Sequence, residues 1–272
     1  MEKTILITGA TDGIGKATAQ LLANSGHEII VHSRTSEKGE KVAYEIQQKT
    51  GNDAVKYVVA DMGKLSEIDK MVTELFRKFK KIDVLINNAG VYREEKNILP
   101  NGLEETFMIN YLSHFYLTTK LLPLLKESEQ ARIINVSSMI HASTIDFNNM
   151  QGEMYFNGDN AYSVSKLCNI LFTYKLADEL KDCRITVNAA HPGVINTKLL
   201  IAGWGAIGEN AKYAAERFSY LAINEELKSI TGKYFINSRQ TNSATISYEK
   251  DIQNKLWEVS NNLVDKLREN VD

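Results

Sequence analysis

Two cysteines and three prolines in 272 residues exclude a disulfide scaffold and leave no material for a proline-rich linker. Cys168 and Cys183 stand alone, and no His/Cys/Asp/Glu cluster has ligand spacing, so no metal is expected and a reducing, cytoplasmic compartment is the expected setting. Neither charge is in excess: 32 Lys+Arg against 34 Asp+Glu give a formal net charge of -2, which offers no matching surface to nucleic acid or an anionic membrane. No run of eighteen apolar residues occurs, and the chain enters Thr4-Ile5-Leu6-Ile7-Thr8 without a basic and apolar leader, so neither secretion nor a membrane anchor is expected. What is present is 43% hydrophobic and 24% charged residues with no repeat or low-complexity tract, the make-up of a soluble protein with small-molecule partners. One domain over residues 1–272 is expected.

Short Ile- and Val-rich runs recur at 4–8, 28–32, 55–59, 83–86, 131–136, 184–189 and 233–236, bounded by Gly, Asn, Asp or charged residues, as buried strands are. Between them the apolar spacing turns helical. In 65–79, Leu65, Ile68, Val72, Leu75, Phe76 and Phe79 form one stripe, and comparable patterns predict helices near 14–24, 37–49, 103–125, 161–181, 209–225 and 245–267. This alternation predicts a single doubly wound, Rossmann-type α/β domain with a central, mainly seven-stranded parallel sheet and helices on both faces. Two stretches break the rhythm, 138–160 and 198–210. Both follow strands, and ligands bind beyond the carboxyl ends of such strands, so the loops 143–160 and 198–210 are expected on the substrate side.

The first strand runs into Thr8-Gly9-Ala10-Thr11-Asp12-Gly13-Ile14-Gly15 and then a helical segment. A glycine-rich turn in that position lets backbone N–H groups approach a pyrophosphate, with the positive end of the helix dipole behind them. The second strand ends in Val31-His32-Ser33-Arg34, where a protein that binds NAD usually places an acid for the ribose hydroxyls. Ser33 and Arg34 suit a 2′-phosphate instead, so NADP(H) is expected in preference to NAD(H). Farther on, Tyr162 and Lys166 stand four apart on a helix and project from one face, which brings positive charge to a phenol whose pKa is otherwise about 10.

The spacing T-G-x-x-x-G-x-G, Asp61, Asn87-Asn88-Ala89-Gly90, Asn110, Ser137-Ser138, Tyr162-x-x-x-Lys166 and Pro192-Gly193 with Thr197 resembles the short-chain dehydrogenase/reductase family, in order from residue 4 to about 200. Ser33-Arg34 with Glu37-Lys38-Gly39, Asn135-Val136-Ser137-Ser138 with His141, the segment Tyr162-Ser163-Val164-Ser165-Lys166-Leu167, His191-Pro192-Gly193 and Leu256-Trp257-Glu258-Val259-Ser260 look like its retinol-dehydrogenase-like branch. Many members of that branch begin with an apolar anchor, so their membrane location is not carried over. The resemblance implies an NADP-dependent oxidoreductase that moves a hydride between the cofactor and a carbonyl or alcohol. Tyr162 would be the proton donor, Ser138 the hydrogen-bond donor to the carbonyl oxygen, Lys166 the holder of the nicotinamide ribose, and Asn110 the residue positioning a water on the proton path. The implied cofactor set is Gly9, Thr11, Asp12, Gly13 and Ile14 at the turn, Ser33 and Arg34, Asp61 and Met62, Asn88, Ala89 and Gly90, Tyr162 and Lys166, and Pro192, Gly193, Val194 and Thr197. Asn87 would line the same strand end. A homo-oligomer is compatible with the family, and no interface is readable in the sequence.

Ser138 and Tyr162 lie 24 positions apart, room for a loop carrying Ile145, Phe147, Met150, Met154, Tyr155 and Phe156. With Leu199, Leu200, Ile201 and Trp204 these side chains either wall an apolar cleft or anchor their loops to the core. The first alternative gives a lipophilic aldehyde, ketone or alcohol as substrate. His141 and His191 read as loop histidines with satisfied hydrogen bonds. A nucleotide-binding regulatory or scaffold protein without turnover is the rival reading, and the full Ser138, Tyr162, Lys166 and Asn110 set argues against it. A sugar-nucleotide epimerase or dehydratase shares Tyr-x-x-x-Lys but differs in glycine spacing and usually needs a larger C-terminal domain.

Overall fold

The computed structural model describes residues 2–205 and 208–269. The seven apolar runs form β1 (Thr4–Ile7), β2 (Glu28–Ser33), β3 (Val55–Val59), β4 (Val84–Asn87), β5 (Ala131–Val136), β6 (Ile185–His191) and β7 (Lys233–Ile236). They pair side by side as β3-β2-β1-β4-β5-β6-β7, all parallel. An eighth strand, β8 (Arg239–Thr241), returns antiparallel to β7 through Asn237 and Ser238, whose φ angles of 50° and 61° make the tight reversal. The sequence gives no sign of β8, because Arg-Gln-Thr has no apolar member and all three residues are exposed.

Alternate side chains of each strand enter different layers, which is why most residues of the central strands are buried whichever way they point. Ile5, Ile7, Ile29, Val31, Val84 and Ile86 pack against α1 (Gly13–Asn24), α2 (Ser36–Thr50) and α8 (Ala211–Ile223). Leu6, Ile30, Leu85, Ile133 and Val187 face α3 (Leu65–Lys78), α5 (Ser113–Lys126), α6 (Gly158–Glu179) and α9 (Lys250–Glu269). The chain leaves β1 for β2 and β3 on one side and crosses to β4 on the other. The carboxyl ends of β1 and β4 therefore bound the crevice where a doubly wound sheet takes its ligand.

Three expected boundaries change. The segment 103–125 is interrupted: α4 (Glu105–Phe107) passes through a π turn (Met108–Leu112) before α5 begins. The segment 198–210 holds α7 (Lys198–Trp204), started by the Thr197 side chain accepting from the Leu200 N–H and stopped at Gly205, whose φ is 86°; residues 206 and 207 of that segment lie outside the described residues. The last helix starts at Lys250 after a 3-10 turn at Thr245–Tyr248.

Candidate active site

The glycine turn is built by close approach. Asp12 caps α1 by accepting from the Gly13 N–H at 2.8 Å, and Gly9 and Gly13 take φ of 63° and 50°. Thr8 Oγ1 accepts from the N–H groups of Asn88 (2.8 Å) and Ala89 (2.9 Å), which joins the ends of β1 and β4. A Cβ on Gly15 would stand 2.5 Å from the Gly9 carbonyl oxygen and 2.6 Å from Asn88 Nδ2. Gly15→Ala is accordingly expected to destabilise the fold by about 1–3 kcal/mol, read as a lower urea midpoint with unchanged m-value. His32, not singled out in the sequence, supports the same turn: its Nδ1 accepts from the Gly9 N–H at 2.9 Å while Nε2 donates to the Ala60 carbonyl at 3.0 Å. Burial pushes this imidazole down to about 4, so it stays neutral and keeps the lone pair that Gly9 needs.

Above the turn opens a cleft of about 800 Å³. Every residue of the implied cofactor set lines it: Gly9, Thr11, Asp12, Gly13 and Ile14; Ser33 and Arg34; Asp61 and Met62; Asn88, Ala89 and Gly90; Tyr162 and Lys166; Pro192, Gly193, Val194 and Thr197. Lys38 and Lys41 join Arg34 at the β2 end. The Ser33 hydroxyl is already used in its own turn, donating to the Thr35 carbonyl at 2.8 Å, which leaves Arg34 as the free polar side chain of that pair. The glycines pressed against backbone, the cation group at one end and the size of the cleft fit a nicotinamide dinucleotide. Asn87 is a correction. It ends β4 pointing into the core, where its Nδ2 donates to Thr118 Oγ1 and Asn135 Oδ1, both at 2.8 Å.

Tyr162 and Lys166 reach the cleft from α6, one helical turn apart, and are 7% and 3% exposed. Lys166 Nζ donates to the Val136 carbonyl at 3.2 Å and stands 5.4 Å from the Tyr162 ring centroid. Burial dominates both titrations: the phenol is pushed up to about 12, partly offset by the Ser138 hydrogen bond, and the ammonium is pushed down to about 8. Lys166 therefore does not by itself bring the phenol toward neutrality, contrary to the expectation from their spacing. Ser137 and Ser138 separate cleanly. Ser137 Oγ donates to the Lys166 carbonyl at 2.7 Å, whereas Ser138 Oγ accepts from the Ile140 N–H at 3.0 Å, which leaves its hydroxyl proton for the cleft side, where it meets the Tyr162 phenol.

Asn110 stands behind this wall and does not line the cleft. It brackets Val91, accepting from its N–H at 2.7 Å and donating to its carbonyl at 3.0 Å. The Asn110 carbonyl faces Asn169 Nδ2 at 3.0 Å and His114 Nδ1 at 3.2 Å, so both of its lone pairs have partners besides the expected water. His191 departs from its reading as a satisfied histidine: it lines the cleft at 7% exposure, and its Nδ1 is buried with no partner among the described residues. Burial and then the Arg217 charge hold it down to about 4. Arg217, which no sequence pattern marks, clamps the neighbouring turn by donating to the Pro192 carbonyl at 2.6 Å and to Glu209 at 2.8 Å.

The two loops behave differently. No residue of 143–160 lines the cleft; Ile145, Phe147 and Met150 pack on the core, Lys255 Nζ lies 4.5 Å over the Phe147 ring, and Met154 and Tyr155 face solvent. The loop is drawn away because Gln151 Oε1 accepts from the Glu104 N–H and Gly152 accepts from Lys96. The apolar wall comes from Met139, Ile140, Val194, Leu199, Leu200 and Trp204. Trp204, carried by α7, lies with ring centroids 5.3 Å from Tyr162 and 5.0 Å from Tyr92. Among the described residues no helix is long and apolar enough to cross a membrane, and no group of three His/Cys/Asp/Glu side chains forms a metal site.

Residues 3–203 match the family model described as short chain dehydrogenase. Human retinol dehydrogenase 13 is 37% identical over 96% of this chain and 84% of its own length. Human polyprenol dehydrogenase is 33% identical over 95% of this chain and 84% of its own. Among solved structures, an uncharacterised protein from Mycobacterium paratuberculosis superposes with a TM-score of 0.80 at 28% identity, covering 97% of this chain and 93% of that one.

Proposed function

This chain belongs to the short-chain dehydrogenase family, whose members are hydride-transferring oxidoreductases, and we propose that it uses NADP(H) to interconvert a lipophilic aldehyde or ketone and its alcohol. The observation that carries the reading is the placement of Ser138, Tyr162 and Lys166 in one cleft whose β2 end presents Arg34, Lys38 and Lys41. The unpaired thiols of Cys168 and Cys183 suit a reducing, cytoplasmic setting.

A nicotinamide cofactor held along this cleft by the Gly9–Ile14 turn, Arg34 and Lys166 would supply or accept the hydride. The protein's own part is proton and charge management. Ser138, one lone pair occupied by the Ile140 N–H, turns its hydroxyl proton to the carbonyl oxygen and stabilises charge as it develops. Tyr162 delivers the proton, and burial keeps its phenol protonated across the working pH range. Lys166 holds positive charge beside the ring and replaces the proton that the phenol gives up. Trp204 and Tyr92 cover the phenol and keep water from competing for it.

NADPH oxidation with a panel of short polar, medium-chain and aromatic carbonyls tests this reading. The medium-chain and aromatic members should turn over best. Trp204→Ala should change their kcat/KM relative to the short polar members by about tenfold, since a large apolar contact is lost from the wall. Replacing Met154 and Tyr155 by Ala should leave those ratios within about twofold, since both side chains point to solvent. Tight NADPH binding with no turnover on any member would favour a nucleotide-binding regulator instead.

A further inference from the structure

We propose that His141 is a positioning residue for Ser138 and that it ties the catalytic turn to the segment around Ala244, an inference that rests on the catalytic reading of Ser138. The imidazole lies between two backbone groups: its Nδ1 stands 2.7 Å from the Ser138 carbonyl oxygen, and its Nε2 stands 3.0 Å from the Ala244 nitrogen. A carbonyl can only accept and an amide can only donate, so these partners specify one state, neutral with the proton on Nδ1. The ring also meets Tyr234 edge-on, centroids 5.3 Å apart.

The turn and its support form a closed circuit. At the near end, Ser138 is held twice, through its hydroxyl by the Ile140 N–H and through its carbonyl by His141. At the far end, Ser243 Oγ meets Tyr174 Oη at 2.7 Å and Ser247 Oγ at 2.6 Å, and the Ser243 N–H donates to Tyr248 Oη at 3.0 Å. Tyr174 belongs to α6, the helix that carries Tyr162 and Lys166. The path Ser138, His141, Ala244, Ser243, Tyr174 thus returns to the proton donor's own helix and sets the serine hydroxyl against the phenol from behind. Ala244 lies beyond the 3–203 region that matches the family model, so a segment outside that region braces a residue inside it. Misplacement of a reacting group by about 1 Å can cost up to about a hundredfold in rate, which is the scale on which such a brace acts.

Three substitutions separate the parts. His141→Phe keeps a ring against Tyr234 and removes both hydrogen bonds. His141→Asn places a side-chain N–H where Nδ1 stood and keeps only the bond to Ser138. Ala244→Pro removes the amide proton and puts the ring Cδ in its place against Nε2, so it breaks the bond and pushes the imidazole back, while the φ of -55° at Ala244 already suits proline. With NADPH and the best carbonyl of the panel, His141→Phe should lower kcat about tenfold or more while the NADPH Kd and the carbonyl KM stay within about twofold. His141→Asn should recover most of that kcat. Ala244→Pro should lower kcat in the wild type and by a much smaller factor on top of His141→Phe. Wild-type kcat in both His141→Phe and Ala244→Pro overturns the inference, as does an equal loss in the Phe and Asn variants accompanied by weaker NADPH binding, which would make His141 a general fold contact. A wild type that turns over no carbonyl overturns the functional reading and this inference with it. A turning-over wild type with indifferent variants overturns this inference alone.

Discussion

Tyr162→Phe should lower carbonyl reduction by roughly 10²–10⁴-fold or more in kcat while NADPH affinity and Tm change little. The substitution removes one oxygen from a buried ring whose other contacts, to Trp204 and Tyr92, survive. Its hydroxyl is the one group in the cleft that combines a protonated resting state with a neighbouring charge reserve, Lys166. The pH profile sharpens the expectation. Because burial raises the phenol and lowers the ammonium, the first proton lost as pH rises belongs to Lys166 and not to Tyr162. Wild-type kcat/KM for reduction should therefore hold below neutrality and fall as pH passes about 8, well before the phenol ionises. Lys166→Met should remove that alkaline limb along with most of the rate. A Phe variant with near-normal kcat on a competent carbonyl would remove Tyr162 from the mechanism.

What could be read before the structure, and what could not, follows from the range of the interactions. The central strands were legible because they are buried on both faces and so carry apolar runs without strict alternation, and the glycine turn because Gly9 and Gly13 need left-handed backbone that few other residues supply. Tyr162 and Lys166 were legible because a helix repeats locally. The residues that went unread act through partners distant in the chain. His32 serves Gly9 across two strands, Arg217 reaches from α8 to Pro192, and the partnerless Nδ1 of His191 depends on what surrounds it in space. Local pattern also cannot say which way a loop folds. The apolar content of 143–160 fits a cleft wall and a core anchor equally well, and the polar ties from Glu104 and Lys96 decide for the core. The π turn at Asn110 is a related case: its apolar spacing passes for an α-helix, while the side chain is drawn off to bracket Val91.

Arg34→Ala should weaken NADPH by about ten- to a hundredfold and leave NADH within about twofold, because a charge-assisted pair contributes about 1.5–3 kcal/mol and only the phosphorylated cofactor offers it a partner. Of the Ser33-Arg34 pair, Arg34 is the side chain placed to meet such a phosphate. Ser33 is buried and its hydroxyl is committed to Thr35, whereas Arg34 is exposed at the cleft edge. Lys38 and Lys41 also line this end, and they should keep some preference for NADPH in the variant. The three acids in the same lining are otherwise engaged: Asp12 pairs with Lys198 at 2.5 Å, Glu45 pairs with Lys16 at 2.6 Å, and Asp61 Oδ1 accepts from the Gly63 N–H at 2.9 Å. None of the three belongs to the β2 end, where a carboxylate would repel a phosphate and hold ribose hydroxyls instead. Arg34→Glu should therefore go beyond loss and reverse the order, with NADH bound better than NADPH. Titration of both cofactors against both variants decides the matter, and equal losses for the two cofactors in Arg34→Ala would show that this guanidinium does not read the phosphate.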